Sequence, residues 1–471
     1  MEFTSLIVER DDTNRKIETR IKNGKATRGE VLDAHSNRLR GHRRVLDLIS
    51  KVFLPAGYPD SVSPDYLRYQ ILNALQAFCN SLVGLLSSRA ILEGFGVGDP
   101  SATATNALLL TVLQDVFSRL TTIVAAHILG SSLAPDVKKY RLLADMLNDA
   151  AVILDTISPR LDTLFFPGLR VAALCLSALF RSLCAISAGG SKASISLHFA
   201  TPLKGTGDVG DLNAKDASKE TVLALLGMLL GTLIVPHLTT PWTIYTTLLV
   251  LVGLHLTINY IGVRGLVLRT LNGQRTWLAW SAYMRTQPGR APTPDEVASL
   301  ERIFERPGAF RDPRSGVLMG RCTIGSSFSE ILSGPIPPQL LELFKEERYL
   351  LWFDRRCLLR PESPSVEGFL RLHICLKEGY NTEDQLKAWI HAAELCRAIS
   401  SQRDASGVLD ALGVLEETHQ KVVELIPDFV NKMRALGWNT HDCALLSGSP
   451  VAVILSVENA AGQATEGKKT R

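Results

Sequence analysis

A chain of 471 residues has room for two or three domains. Its hydrophobic share of 46% and mean hydropathy of +0.12 are high for a soluble enzyme and low for a transporter made only of spanning helices. The net charge of +4, with a pI near 8.6, is too mild to imply nucleic acid. The mixture suggests a membrane-embedded part joined to a water-soluble part, and the segments below make the expected fold mainly α, a helical membrane-associated core with a smaller C-terminal α+β domain.

Residues 1–45 hold 11 Lys+Arg against 7 Asp+Glu and read as a basic, solvated, partly disordered segment. The N-terminus, with Glu9, Asp11 and Asp12, lacks the basic-then-apolar layout of a signal peptide, so membrane targeting is expected from internal segments. The helical core is expected over 46–287. At its start, Pro59-Asp-Ser-Val-Ser-Pro-Asp65 precedes an apolar run, and Asp65 is expected to cap the helix beginning at Tyr66. Tyr69–Ser88 is uncharged and carries Gln70, Asn73, Gln76 and Asn80 at helical spacings, one polar stripe on an apolar helix. Gly94-Phe-Gly-Val-Gly98 has GxGxG spacing with no clear strand before it and reads as a turn between helices.

Leu120–Pro135 is a short apolar run, and Leu164–Ala188 a longer one carrying Arg170 and Arg181. Between them, Arg141, Asp145 and Asn148 or Asp149 share one helical side. Arg141–Asp145 reads first as an ordinary ion pair. Its functional alternative is a polar site between membrane helices, where carboxylates are costly.

Thr221–Val263 runs 43 residues without Asp, Glu, Lys or Arg. A single helix of that length would be about 65 Å long, twice a bilayer's hydrocarbon core. Pro236 and Pro241 divide it, predicting a hairpin of helices Val222–Val235 and Trp242–Gly262 with interfacial Trp242, Tyr245 and Tyr260. Gly227 and Gly231 form a GxxxG that lets a neighbouring helix approach. Lys215, Asp216, Ser218 and Lys219 are placed just before the hairpin, with Asp216 or Ser218 as cap, and Arg264, Arg269 and Arg275 after it. Both hairpin ends are thereby expected on the cytoplasmic side.

Pro288-Gly-Arg-Ala-Pro-Thr-Pro294 is a breaker cluster and the expected domain boundary. Beyond it a soluble α+β domain is expected over 295–455, with strands near Val317–Ile324, Tyr349–Leu359 and Phe369–Leu376. Two helices follow: Glu383–Ile399, with Thr382 and Gln385 as a capping box, and Val408–Leu436, kinked or broken at Pro427 and ended by Gly437. Residues 456–471 are expected to be disordered.

The eight cysteines form no CxxC pair, the histidines no i,i+4 pair, and no GxSxG, HExxH, Walker A or EF-hand pattern occurs. No cofactor, metal site or enzymatic activity is expected.

Several blocks resemble the root UV-B sensitive family, and the chain is similar to its fungal-type members. Phe53–Tyr66 looks like the family's opening signature, and Arg141-Leu-Leu-Ala-Asp-Met-Leu-Asn-Asp149 resembles its "RLFADILND" block. Ala188–Ala200 is similar to "AGATRAALTQHFA", with Ser191-Lys192 where Thr-Arg is usual, and Asp211–Thr221 resembles "DVSAKDGSQET", with Leu212-Asn213 where Val-Ser is usual. Asn259-Tyr260 followed by Arg264 also fits, whereas the C-terminal half matches loosely around Gly437-Trp438. The resemblance implies an intracellular membrane protein linked to vitamin B-six homeostasis and UV-B or stress responses. It implies the lipid bilayer and a paralogue or second copy as partners, and it supplies no catalytic residues to carry over. The candidate functional cluster is Arg141, Asp145, Asn148, Asp149, Lys192, His198, Lys215 and Asp216. A scaffold or adaptor role is the first expectation. Transport of a small solute and pyridoxal-phosphate handling are the alternatives.

Overall fold

The computed structural model describes residues 4–10, 16–22, 25–30, 49–95, 104–164, 168–203, 205–285, 289–331, 337–353, 369–402 and 410–457. Two compact units emerge, Met1–Leu133 with Val137–Leu266, and Ala134–Asp136 with Val267–Arg471. The division falls upstream of the breaker cluster because α7 (Gly273–Arg285) buries Trp277, Trp280 and Tyr283 in the core of the second unit.

The first unit is a helical bundle: α1 Tyr66–Gly94, α2 Ala104–Leu129, α3 Val137–Leu164, α4 Leu169–Phe199, α5 Val209–Ile234 and α6 Pro241–Arg264. Helix α1 packs on α3, α5 and α6; α3 also packs on α4 and α6, and α2 lies along α4. Five of these helices (α1, α2, α4, α5 and α6) are long and apolar enough to cross a membrane. The basic N-terminal segment contains strands β1 Thr4–Arg10, β2 Lys16–Lys22 and β3 Lys25–Glu30 in an antiparallel sheet. Alternation such as Lys16-Ile-Glu-Thr-Arg-Ile-Lys22 carries that signal, which its charge obscures.

The hairpin forms with one correction. Helix α5 begins at Val209, where the Asp208 carboxylate accepts the Gly210 and Asp211 amides at 2.7 and 3.2 Å, so Lys215 to Glu220 lie inside the helix and neither Asp216 nor Ser218 is a cap. The first arm is therefore 26 residues long and is a full span in length. A 3-10 turn, Val235–His237, interrupts the chain before Pro241 opens α6. Arg89 donates to the Val235 and Leu238 carbonyls at 3.0 and 2.9 Å, supplying partners for backbone that the break leaves without them. Gly227 and Gly231 face α1: a Cβ at Gly227 would lie 2.7 Å from the Phe78 carbonyl oxygen, and one at Gly231 2.3 Å from Leu85 Cδ1.

The second unit carries β4 Thr270–Asn272, β5 Ala309–Arg311, β6 Leu318–Ile324, β7 Tyr349–Phe353, β8 Leu370–Lys377, β9 Asn439–Ala444 and β10 Val453–Ile454. Strand β8 is central, parallel to β6 and β10 and antiparallel to β7, and β5 pairs antiparallel with β6. Strands β4 and β9 form a parallel pair. Short helices α8 (Pro294–Leu300) and α9 (Pro338–Leu343) precede α10 (Thr382–Gln402), which lies on β6, β7 and β8, and α11 (Ala411–Ala435) covers α10.

Two cap assignments move. At α10 the reciprocal pair is Asn381 with Asp384, at 2.9 and 3.0 Å, one residue upstream of Thr382 and Gln385. Asp65 does not cap α1. Its carboxylate instead accepts Ser63 Oγ at 2.6 Å and meets His198 Nε2 at 3.1 Å. Pro427 is accommodated within α11 without ending it. Gly437, at φ +89°, does end it, with Trp438 N on Met433 O and Gly437 N on Arg434 O. Arg275 is not a membrane-flanking charge: it is buried and pairs with Glu301 at 2.9 Å. Gly96 to Gly98, Tyr349–Leu359 beyond Phe353, and the tail from 458 lie outside the described residues.

Candidate functional site

The polar stripe of α1 and the Arg141 side of α3 meet because α1 packs directly on α3. Between them and α4, α5 and α6 lies a cavity of about 250 Å³. Gln70, Asn73, Gln76 and Asn80 come from α1, Arg141 and Asp145 from α3, Lys192 from α4, Asp216 and Glu220 from α5, and His255 from α6.

Arg141 is the hub. Its guanidinium donates to Asp145 Oδ1 at 2.9 Å, to the Tyr69 hydroxyl at 3.2 Å, to Asn73 Oδ1 at 3.2 Å and to Gln76 Oε1 at 3.3 Å. Asn73 passes the network on, donating to Glu220 Oε1 at 2.7 Å, and Lys192 Nζ binds both Glu220 oxygens at 2.9 and 3.1 Å. Lys192 is exposed while Asp145, Asp216 and His255 are buried, so the Lys192–Glu220 pair marks the solvent-facing edge and the other charges sit deeper.

The carboxylate of Asp216 is held by three donors: Tyr66 Oη at 2.8 Å, Gln70 Nε2 at 2.5 Å and Lys219 Nζ at 2.8 Å. Asp149 Oδ2 meets His255 Nδ1 at 2.8 Å, tying α3 to α6 behind the cavity wall. Each carboxylate thus has a cation or a hydrogen-bond donor facing it, as charges removed from water require. Two buried acceptors on lining residues, Asp145 Oδ2 and Gln70 Oε1, have no hydrogen-bond partner among the described residues.

Of the residues expected from sequence, Arg141, Asp145, Lys192 and Asp216 line this cavity. Asn148 bonds Asn80 at 2.9 Å and Asp149 bonds His255, so both support lining residues. His198 pairs with Asp65 and joins the end of α4 to the start of α1, next to lining residue Phe199. Lys215 is elsewhere. It donates to the Lys51 carbonyl and lines a separate recess with Asp211 and Tyr58.

Glu220 and His255 line the cavity without belonging to the cluster expected from sequence. Glu220 closes the charged block before the uncharged run, and His255 is hidden inside that run because a neutral histidine leaves the charge count unchanged. Among the described residues no group of three or more His, Cys, Asp or Glu is placed to hold a metal ion.

The chain matches the model of the vitamin B6 photo-protection and homoeostasis domain over residues 39–287 and that of the root UVB sensitive protein C-terminal region over 366–447. It is 36% identical over 261 residues to RUS family member 1 of Dictyostelium discoideum, covering 55% of this chain and 48% of that protein. It is 28% identical to protein root UVB sensitive 3 of Arabidopsis thaliana and 24% identical to protein root UVB sensitive 2, chloroplastic, of the same plant. Those two matches cover 85% and 84% of this chain and 83% of each relative. This chain therefore spans about half of the Dictyostelium relative and most of the two plant ones. No solved structure matches. The cavity, every residue that lines it and all six bundle helices fall within the first matched region, which is more than half of the chain, and the chain belongs to the root UVB sensitive family.

Proposed function

We propose that this chain is a membrane-integral protein that binds a small, donor-rich polar solute in the Arg141–Asp145 cavity, without breaking bonds in it. The observation that carries the reading is the contrast between inside and outside. The cavity collects five charged residues, while the outer faces of the helices are apolar, with Leu233 68% and Trp242 81% exposed. None of the apolar window of α2 is buried, and exposed Leu108, Leu109, Leu120 and Ile123 run along it. Lipid accounts for such faces, and charges that persist inside a membrane bundle mark sites by default.

The residues alone put a scaffold role first. The cavity moves solute binding ahead of it, because an adaptor needs an outward surface and not converging buried charges. Membrane integration is checked by alkaline carbonate extraction. The full-length chain should stay in the pellet, and release into the supernatant removes the premise.

The unpartnered acceptors give the solute its polarity, since Asp145 Oδ2 and Gln70 Oε1 call for N–H or O–H donors. Full-length protein in nanodiscs should be melted with small primary amines (ethanolamine and pyridoxamine) and with acetate and glycerol 3-phosphate. Pyridoxamine has a place in that panel because the matched domain's description names vitamin B6. Amines should raise the melting temperature, with about 2.7 kcal/mol of stabilisation at a hundredfold excess over Kd. Asp145→Asn should abolish the shift while retaining an oxygen for Arg141, and Gln70→Met should weaken it. Stabilisation by the anions alone would reject the reading.

A further inference from the structure

A second polar chamber, of about 170 Å³, lies on three of the five helices that line the cavity, α1, α3 and α6. It is lined by Arg89 and Glu93 of α1, Thr156 and Arg160 of α3, Thr239 of the hairpin break and Tyr245 of α6. Along α1, Gln76 of the cavity and Arg89 of this chamber are 13 residues apart in the chain, or about 20 Å at the helical rise.

What separates the two chambers is apolar. Val83 and Leu86 of α1, Val152 of α3, and Leu248 and Val252 of α6 form one buried cluster, none more than 7% exposed. The order agrees on every helix. On α1 the cavity's Asn80 is followed by Val83 and Leu86 and then by Arg89. On α3, Asp145 is followed by Val152 and then Thr156. On α6 the same levels are met in reverse, Tyr245, then Leu248 and Val252, then His255. Three helices therefore present polar, apolar and polar levels in register.

A bundle held together only for stability would not bury Asp145 and Asp216 in the first cavity, since each buried charge adds a desolvation cost. Arg89, Glu93 and Arg160 line a second chamber that opens outward. Two charged levels that flank an apolar constriction are the arrangement by which a pore excludes solute and water until it widens. We propose that the two chambers are the two ends of one solute path closed by the Val83–Leu86–Val152–Leu248–Val252 ring, so that this chain moves its solute across the membrane. The inference rests on the cavity being a solute site, and its test is separable from that reading.

Full-length chains carrying Ala77→Cys, beside the cavity, or Ala90→Cys, beside the second chamber, are placed in sealed vesicles of one orientation. A membrane-impermeant trimethylammonium methanethiosulfonate is added outside, before or after permeabilisation, and labelling of the introduced cysteine is read by mass spectrometry. One position should be labelled from outside and the other only after permeabilisation. Adding Val83→Ser with Leu248→Ser should open both to outside reagent and raise potassium chloride leak at least tenfold, whereas Leu174→Ser, a buried leucine of α4 outside the ring, should not. Labelling of both positions from one side with the ring intact overturns the proposal, as does unchanged labelling in a folded double-serine variant. If the double variant does not fold, the sidedness of the two cysteines with the ring intact decides alone. Amine-induced stabilisation together with same-sided labelling would keep the solute site and reject the path. Opposite-sided labelling without amine binding would keep the path and reject the donor-rich solute.

Discussion

Arg141→Ala is expected to prevent accumulation of folded protein, at a cost of about 3–5 kcal/mol. The side chain bonds Asp145, Tyr69, Asn73 and Gln76 together, and only 13% of it is exposed. Its removal leaves the Asp145 carboxylate with both oxygens unpaired in a site 11% exposed, and leaves the Asn73 and Gln76 carbonyls without that donor. The loss is therefore larger than one hydrogen bond, because the partners stay behind and remain desolvated. Arg141→Met with Asp145→Leu should recover part of the stability, since an apolar pair of similar volume carries no stranded charge. Recovery should be incomplete because the α1 stripe was built to face a guanidinium. The monodisperse fraction on size-exclusion chromatography and the melting temperature in detergent measure both effects. An Arg141→Ala chain that elutes and melts like the parent would show that the network contributes no stability.

The same cluster shows how much of the site the residues disclose. The i,i+4 pairing of Arg141 with Asp145 is local, so helical spacing alone locates it. The stripe at Gln70, Asn73, Gln76 and Asn80 is equally visible as a periodic departure from an apolar run. That the two face each other depends on α1 packing on α3 across some 70 positions of chain, which no local pattern encodes. By sequence alone the Lys215 to Glu220 block marks the threshold of the hairpin, because charges usually stop a span. Packing reverses that reading: Asp216 and Glu220 turn inward to Gln70, Tyr66, Asn73 and Lys192, so the helix can continue through them.

Helix caps differ from the sequence expectation for a related reason. Asn381 and Thr382 are both good N-cap types, and the backbone turn that selects Asn381 is not written in composition. Asp65 has the right type and position, but the buried imidazole of His198, 133 residues away, competes for its carboxylate. Lys192, standing where the family block usually has arginine, reaches both Glu220 oxygens through a single nitrogen, so a point charge serves there and a planar fork is not required.

The glycine seam between α5 and α1 gives the second large effect, and it separates two residues that the GxxxG pattern treats alike. A Cβ at Gly231 would meet Leu85 Cδ1 at 2.3 Å, the far end of a flexible side chain that can rotate away. A Cβ at Gly227 would meet the Phe78 carbonyl oxygen at 2.7 Å and Ser81 Cβ at 3.0 Å, neither of which moves without the α1 backbone. Backbone contact of this kind is what small residues permit between membrane helices, where no hydrophobic driving force pulls them together. Gly227→Ala should therefore destabilise the bundle by about 1–3 kcal/mol, the usual range for overpacking, and Gly231→Ala by clearly less. Gly227→Leu should force α5 off α1 and disperse Asp216 and Glu220 from Gln70 and Asn73, so that amine-induced stabilisation disappears along with the fold. Melting curves of the three variants in nanodiscs order them directly, with Gly231→Ala nearest the parent and Gly227→Leu furthest. Equal losses for the two alanine variants would mean that the seam relaxes as a whole, and that the Phe78 carbonyl is not what holds α5 in register.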